Sequence, residues 1–122
     1  MGHTNIYGNL YVADSFRTAG TKQAVRQTEN YGEKGVYCYE TPTPHFGDIG
    51  SGEISEGGKC YIDIEDILKE MINTEMQYYV FLQKCGEGDL YVSECFPDYF
   101  IVTGTPGLRF FWELKAKQKG YE

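Results

Sequence analysis

Four segments rich in strand-forming residues, Gln77 to Lys84, Leu90 to Cys95, Tyr99 to Thr103 and Leu108 to Ala116, follow one another with turn chemistry in every gap. Gly86-Glu87-Gly88-Asp89 and Gly104-Thr105-Pro106-Gly107 carry the residues that hairpin loops demand, and Pro97-Asp98 breaks the middle pair. The expected arrangement is a four-stranded antiparallel meander. Residues two apart in a strand share a face, so a sheet with one wet side shows apolar residues in one set only. The last segment has Leu108, Phe110, Trp112 and Leu114 in the inward set, but Phe111 interrupts the outward set of Arg109, Glu113 and Lys115. Tyr78 to Leu82 and Tyr99 to Val102 are apolar on both faces. A second sheet of the same chain or a second subunit can cover those faces, and sequence alone leaves the choice open.

Upstream signals are weaker. Asn9 to Ala13 and Gly20 to Gln27 are extended candidates, and Val36 to Glu40 is a tyrosine-rich strand stopped by Thr41-Pro42-Thr43-Pro44. His45 to Gly52 holds Gly47, Gly50 and Gly52, which suit a compact surface loop. Glu53 to Ser55 and Lys59 to Ile62 flank Glu56-Gly57-Gly58 as a tight hairpin. Ile64, Ile67, Leu68, Met71 and Ile72 form a helical stripe, with Asp63 as cap and Asn73 as stop. A helix of about nine residues is unstable alone and has to lie on a sheet. The expected fold is all-β, an antiparallel β-sandwich-like domain with one short helix.

Charge and motif content narrow the chemistry. The formal charge of −7 opposes nucleic-acid binding, which draws most of its affinity from cations displacing counterions. No apolar stretch reaches the roughly 20 residues of a membrane helix, and the opening residues lack the layout of a signal peptide. Met1-Gly2-His3 reads as a tag remnant. Cys38, Cys60, Cys85 and Cys95 show no CxxC pair and are expected as free core thiols. No nucleophile elbow, metal cage or phosphate loop is present, so no catalytic residue, metal ligand or cofactor is assigned. Lys115, Lys117 and Lys119 alternate as a solvated sheet edge.

The order of short phrases then becomes informative. Gly20-Thr21-Lys22-Gln23-Ala24-Val25, Asn30-Tyr31-Gly32, Tyr37-Cys38-Tyr39-Glu40-Thr41-Pro42, Phe46-Gly47-Asp48-Ile49-Gly50, Tyr79-Val80-Phe81-Leu82-Gln83 and Trp112 to Lys119 together resemble the C-terminal domain of tail-fibre and minor structural, receptor-binding proteins of phages and prophages of Gram-positive bacteria. The resemblance implies that residues 20–122 are the C-terminal β domain and residues 1–19 the tag remnant and the end of a fibre shaft. It further implies a homotrimer in the virion tail, assembled in the host cytoplasm, with no enzymatic activity. Host-surface saccharide recognition is the leading function. A trimerisation and fibre-assembly module without receptor binding is the alternative, and a polysaccharide-degrading enzyme ranks below both. Phe46, Asp48, Phe96, Asp98 and Tyr99, in or beside predicted loops, are the candidate ligand contacts, because aromatic rings stack on sugars and carboxylates accept their hydroxyls. Tyr78, Phe100 and Phe111 are the candidate subunit contacts.

Overall fold

The computed structural model describes residues 2–121, and the chain divides into two compact units, Met1–Glu40 and Thr41–Glu122. The division falls at residue 40, so residues 20–40 lie in the first compact unit. In the first unit, β1 (Gln23–Thr28) pairs antiparallel with β2 (Gly32–Tyr37). The strand expected from Val36 lies further upstream because it pairs in register with β1, from Gln23 opposite Tyr37 to Thr28 opposite Gly32. Thr28 closes the connection: its hydroxyl donates to the Gly32 carbonyl at 2.7 Å and accepts from the Tyr31 amide at 3.0 Å. Gly32 takes φ 72°, a conformation that costs glycine little. Lys22 and Glu40 form an ion pair beyond the paired residues. Asn9 to Ala13 forms no strand.

The second unit is a sandwich of two three-stranded antiparallel sheets. Its elements are β3 (His45–Glu53), β4 (Lys59–Asp63), α1 (Asp66–Lys69), β5 (Tyr79–Lys84), β6 (Leu90–Cys95), β7 (Tyr99–Gly104) and β8 (Arg109–Lys117). One sheet has the order β3-β8-β5 and the other β4-β7-β6. All four C-terminal strands form where expected, but they are not a meander: only β6 and β7 make a hairpin, and the two glycine-rich loops carry the chain from one sheet to the other. Those crossing loops hold each other through the Asp89 amide on the Thr105 hydroxyl at 2.9 Å and the Thr105 amide on the Asp89 carbonyl at 3.0 Å. The Ser55 to Gly58 turn forms, yet its flanking strands also part into different sheets. β8 is a central strand, so its lysines lie on a sheet face and not at an edge.

Cover for the doubly apolar strands comes largely from within the chain. Phe100 and Val102 of β7 face Phe110, Leu114 and Ala116 of β8 in one buried cluster. Tyr78 and Phe100 are 5% and 0% exposed, which corrects their expected place at a subunit boundary: the chain's own second sheet has already covered them. Phe111 is 55% exposed on the outer side of β8. The helical stripe buries Ile64, Leu68 and Ile72 as its spacing requires, but only Asp66–Lys69 is helical. The chain leaves the helix to bridge Ile72 to Gln118 and to place the Asn73 amide on the Lys117 carbonyl, so sheet pairing ends the helix early. Glu65, not Asp63, precedes the first turn, without a side-chain cap. Asn73 is not the stop, because the helix has already ended at Lys69; its side-chain oxygen accepts instead from the Glu75 and Met76 amides in the following turn. The four cysteines are free, but only Cys60 packs on the core; Cys38 and Cys85 lie just past strand ends, where alternation no longer turns them inward, and Cys95 is also exposed.

The glycine-rich segment is the clearest departure from expectation. Instead of a loop, residues 45–53 form β3, with Gly50 opposite Trp112 and Gly52 opposite Phe110. A Cβ on Gly50 would come within 2.4 Å of the Trp112 ring, and one on Gly52 within 2.6 Å of the Phe110 ring. These glycines therefore serve close approach between a ring and a backbone. We predict that Gly50→Val costs about 1–3 kcal/mol through overpacking, whereas Gly57→Ala, in an open turn, stays within about 0.5 kcal/mol of the parent. Urea denaturation midpoints read the difference.

Candidate functional site

The outer face of β4-β7-β6 carries a group of rings. In strand register, Tyr61 lies opposite Ile101 and Asp63 opposite Tyr99, so Tyr61 and Tyr99 stand diagonally on adjacent strands. Their ring centroids are 6.0 Å apart, and Phe96 lies 4.9 Å from Tyr99 at an interplanar angle of 34°. Ile101 sits in the same face and is only 5% exposed. Tyr61 remains 59% exposed. The result is a wet aromatic surface with an apolar floor.

The β6–β7 turn aims two of these rings. The Phe96 amide donates to the Tyr99 carbonyl at 2.8 Å, closing a four-residue turn in which Pro97 occupies the position that its fixed φ suits. Tyr78 braces the turn from the core side: its hydroxyl donates to the Phe96 carbonyl at 2.6 Å and lies 3.2 Å from the Tyr99 carbonyl. The Ile64 amide donates to the Asp98 carbonyl at 2.9 Å and ties the turn to the segment entering α1. Next to this tie, Lys69 Nζ lies 3.0 Å from Asp66 Oδ1 and 3.4 Å from Asp98 Oδ1. The hydrogen bond that Lys69 donates to Asp66, aided by the one to Asp98, raises the Lys69 pKa above its ordinary value despite some desolvation. These charges are exposed enough that they contribute little to stability. Asp63, Ile64, Glu65, Asp66, Lys69 and Asp98 enclose a shallow depression beside the rings.

Of the five expected ligand contacts, Phe96, Asp98 and Tyr99 converge here. Phe46 and Asp48 do not: they lie on β3 in the other sheet, opposite Ala116 and Leu114, and Asp48 accepts from its neighbour's amide at 2.9 Å. Tyr61 and Lys69 were missed. Lys59-Tyr61-Asp63 as an outward set was a legible clue to the tyrosine, but nothing local connects Lys69 with Asp98, 29 residues away. A β-bulge between Val92 and Glu94 shifts the register of β6 toward this end of the sheet. Thr103 and Ser93 hydroxyls bond at 2.8 Å, and Ser93 reaches the Ile101 carbonyl at 3.2 Å.

The chemistry on offer is stacking and hydrogen bonding. The ring faces can stack on an apolar ligand face, the Asp66 and Asp98 carboxylates can accept hydrogen bonds, and the Lys69 ammonium can donate them. Among the described residues, no three His, Cys, Asp or Glu side chains gather into a metal-binding group. No helix among them is long and apolar enough to cross a membrane. Comparison of the chain with family models, curated proteins and solved structures returns no match.

A second surface lies on the outer face of β3-β8-β5. Phe111 stands opposite Ser51 and Gln83, and Glu113 opposite Ile49 and Phe81. Ile49, Phe81 and Phe111 are 73%, 57% and 55% exposed. This face also carries paired charges, with Lys115 Nζ 3.9 Å from Glu113 Oε2, but its exposed rings do not stand in close pairs like those of Phe96, Tyr99 and Tyr61.

Burial, with the Cys95 thiol alongside, pushes the Tyr78 phenol well above its ordinary 10.0. Partial desolvation on the side that meets Tyr78 likewise raises the otherwise exposed Cys95 above 9.0, partly offset by its hydrogen bond with Tyr78. Both folded pKa values exceed the unfolded ones, so their stabilising contribution is complete below the unfolded pKa and is lost as pH rises toward the folded one. Stability is therefore expected to hold from neutrality to about pH 9 and to decline above about pH 10. Tyr78→Phe is expected to cost about 1 kcal/mol at neutral pH by removing a hydrogen bond, and to flatten the alkaline decline. Denaturant titrations across this pH range measure both effects.

Proposed function

We propose that this chain is the C-terminal adhesive module of a phage or prophage tail fibre, and that it binds host-surface saccharide through Tyr61, Phe96 and Tyr99 with Asp98 and Lys69. The observation that carries the reading is the convergence of Phe96, Asp98 and Tyr99 on one turn, with Tyr61 and Lys69 brought beside them by other elements. The resemblance of the ordered phrases to receptor-binding tail proteins is what suggests the biological setting, a homotrimer in the virion tail. Weak sites repeated on several subunits gain through effective concentration when the target is a polymer. The turn is braced from the core by Tyr78, so the rings are held before a ligand arrives, which lowers the ordering cost of binding.

An architectural module that associates and binds no receptor is the second reading, favoured by the exposed Ile49, Phe81 and Phe111 face. Retention of cells or purified wall polysaccharide by the full chain separates the two. Tyr99→Ala is expected to weaken retention about fivefold per site, the equivalent of about 1 kcal/mol for one ring, while Phe46→Ala leaves it unchanged. A folded chain that associates but retains no wall polymer decides for the architectural role.

A further inference from the structure

The first unit poses a problem that its own strands do not solve. A two-stranded hairpin is at best marginally stable in water, and every described residue of this unit is exposed or half-buried. Tyr7, Tyr11, Tyr31 and Tyr37 are 97%, 88%, 76% and 64% exposed. Tyr37 lies on β2 and Tyr31 in the turn that joins it to β1, so the hairpin itself presents rings to solvent on strands that bury nothing. Val25 and Val36 add to this at 55% and 57% exposure.

Register decides how that surface is divided. Gln23 pairs with Tyr37, Val25 with Gly35 and Gln27 with Glu33, so Val25, Tyr37 and Glu33 share one face. Ala24 pairs with Val36 and Arg26 with Lys34, so Val36, Arg26 and Lys34 share the opposite face. One face is thus apolar and acidic, the other apolar and basic. Two cations directly across from one another repel within the hairpin, and a carboxylate from outside relieves them. Charge balance points the same way: Arg17, Lys22, Arg26 and Lys34 match Asp14, Glu29, Glu33 and Glu40, which leaves the formal charge of −7 entirely on residues 41–122. Copies brought together through the neutral unit meet no net repulsion there.

We propose that the β1–β2 hairpin is a self-association surface, in which the Val25–Glu33–Tyr37 face of one copy packs on the Arg26–Lys34–Val36 face of the next. Such a contact joins two different faces, so it propagates head to tail and closes as a ring when the rotation allows. The occupant of each face is the same hairpin in another copy, and ordering of the hairpin is coupled to assembly. This deepens the association part of the function proposed above and does not depend on what the aromatic surface binds.

The test measures the mass of the full chain by sedimentation across a range of concentrations, with amide exchange of β1 and β2 followed in parallel. The parent is expected to associate, with protection of the hairpin amides rising with concentration. Glu33→Lys and, separately, Arg26→Glu with Lys34→Glu are expected to weaken association by at least about tenfold by setting like charges face to face. Combining all three substitutions in one chain restores opposite signs and is expected to recover it. Phe81→Glu with Phe111→Glu, on the sandwich, is expected to leave the mass unchanged, with near-ultraviolet circular dichroism reporting that the sandwich is intact in every variant. A parent that stays monomeric overturns both this inference and the homotrimer. Association that survives the hairpin charge reversals but is lost with the two phenylalanines overturns the inference alone.

Discussion

The sandwich depends on rings lying flat against a strand that has no side chains in their way. Phe110 and Trp112 of β8 point toward the other sheet, and each occupies space that a Cβ on Gly52 or Gly50 of β3 would need. Trp112 meets Phe100 of the facing sheet edge to face, with centroids 5.4 Å apart and planes at 78°, a favoured arrangement for aromatic pairs. This contact couples the centre of one sheet to the centre of the other, because β7 and β8 are the middle strands. The packing has a cost: the Trp112 indole nitrogen is shielded from solvent without a hydrogen-bond partner, a loss on the order of 1–3 kcal/mol. Apolar burial around Phe100, Phe110 and Leu114, each 0% exposed, offsets it.

Much of this was legible in sequence, and the failures share a physical origin. The C-terminal strands and the inward set of β8 follow from alternation and turn residues, which are local. Which sheet a strand joins is not local: Gly86 to Asp89 and Gly104 to Gly107 turn the chain equally well into a hairpin or across a sandwich. The glycines of β3 have the same ambiguity, since a glycine marks either a flexible loop or a close approach. Only the Trp112 and Phe110 rings, far along the chain, decide between them. The buried positions of Tyr78 and Phe100 show the same limit, for a strand apolar on both faces states that it needs cover without saying what supplies it.

The candidate site was half legible for a related reason. Phe96, Asp98 and Tyr99 occupy one short turn and come together by chain connectivity alone. Tyr61 joins them through strand register, and Lys69 through the path from α1 back to the sheet, both consequences of tertiary structure. Phe46 and Asp48 are equivalent to that turn only if residues 45–53 form a loop. Once that segment is a strand pressed on β8, its side chains are committed to the opposite sheet from the aromatic turn.

The two units divide the physical tasks in a way that composition hides when averaged over the chain. Residues 41–122 carry all of the net charge, every buried residue among those described lies in this unit, and it presents rings on a framework that is already complete. Residues 2–40 hold no buried residue and no net charge, yet they keep an ordered register with valine and tyrosine on show. A self-sufficient core makes a second copy unnecessary for the sandwich, which is why the doubly apolar strands were a poor guide to association. The hairpin lacks that sufficiency, and its two faces of opposite sign give it a means of finding cover in its own kind.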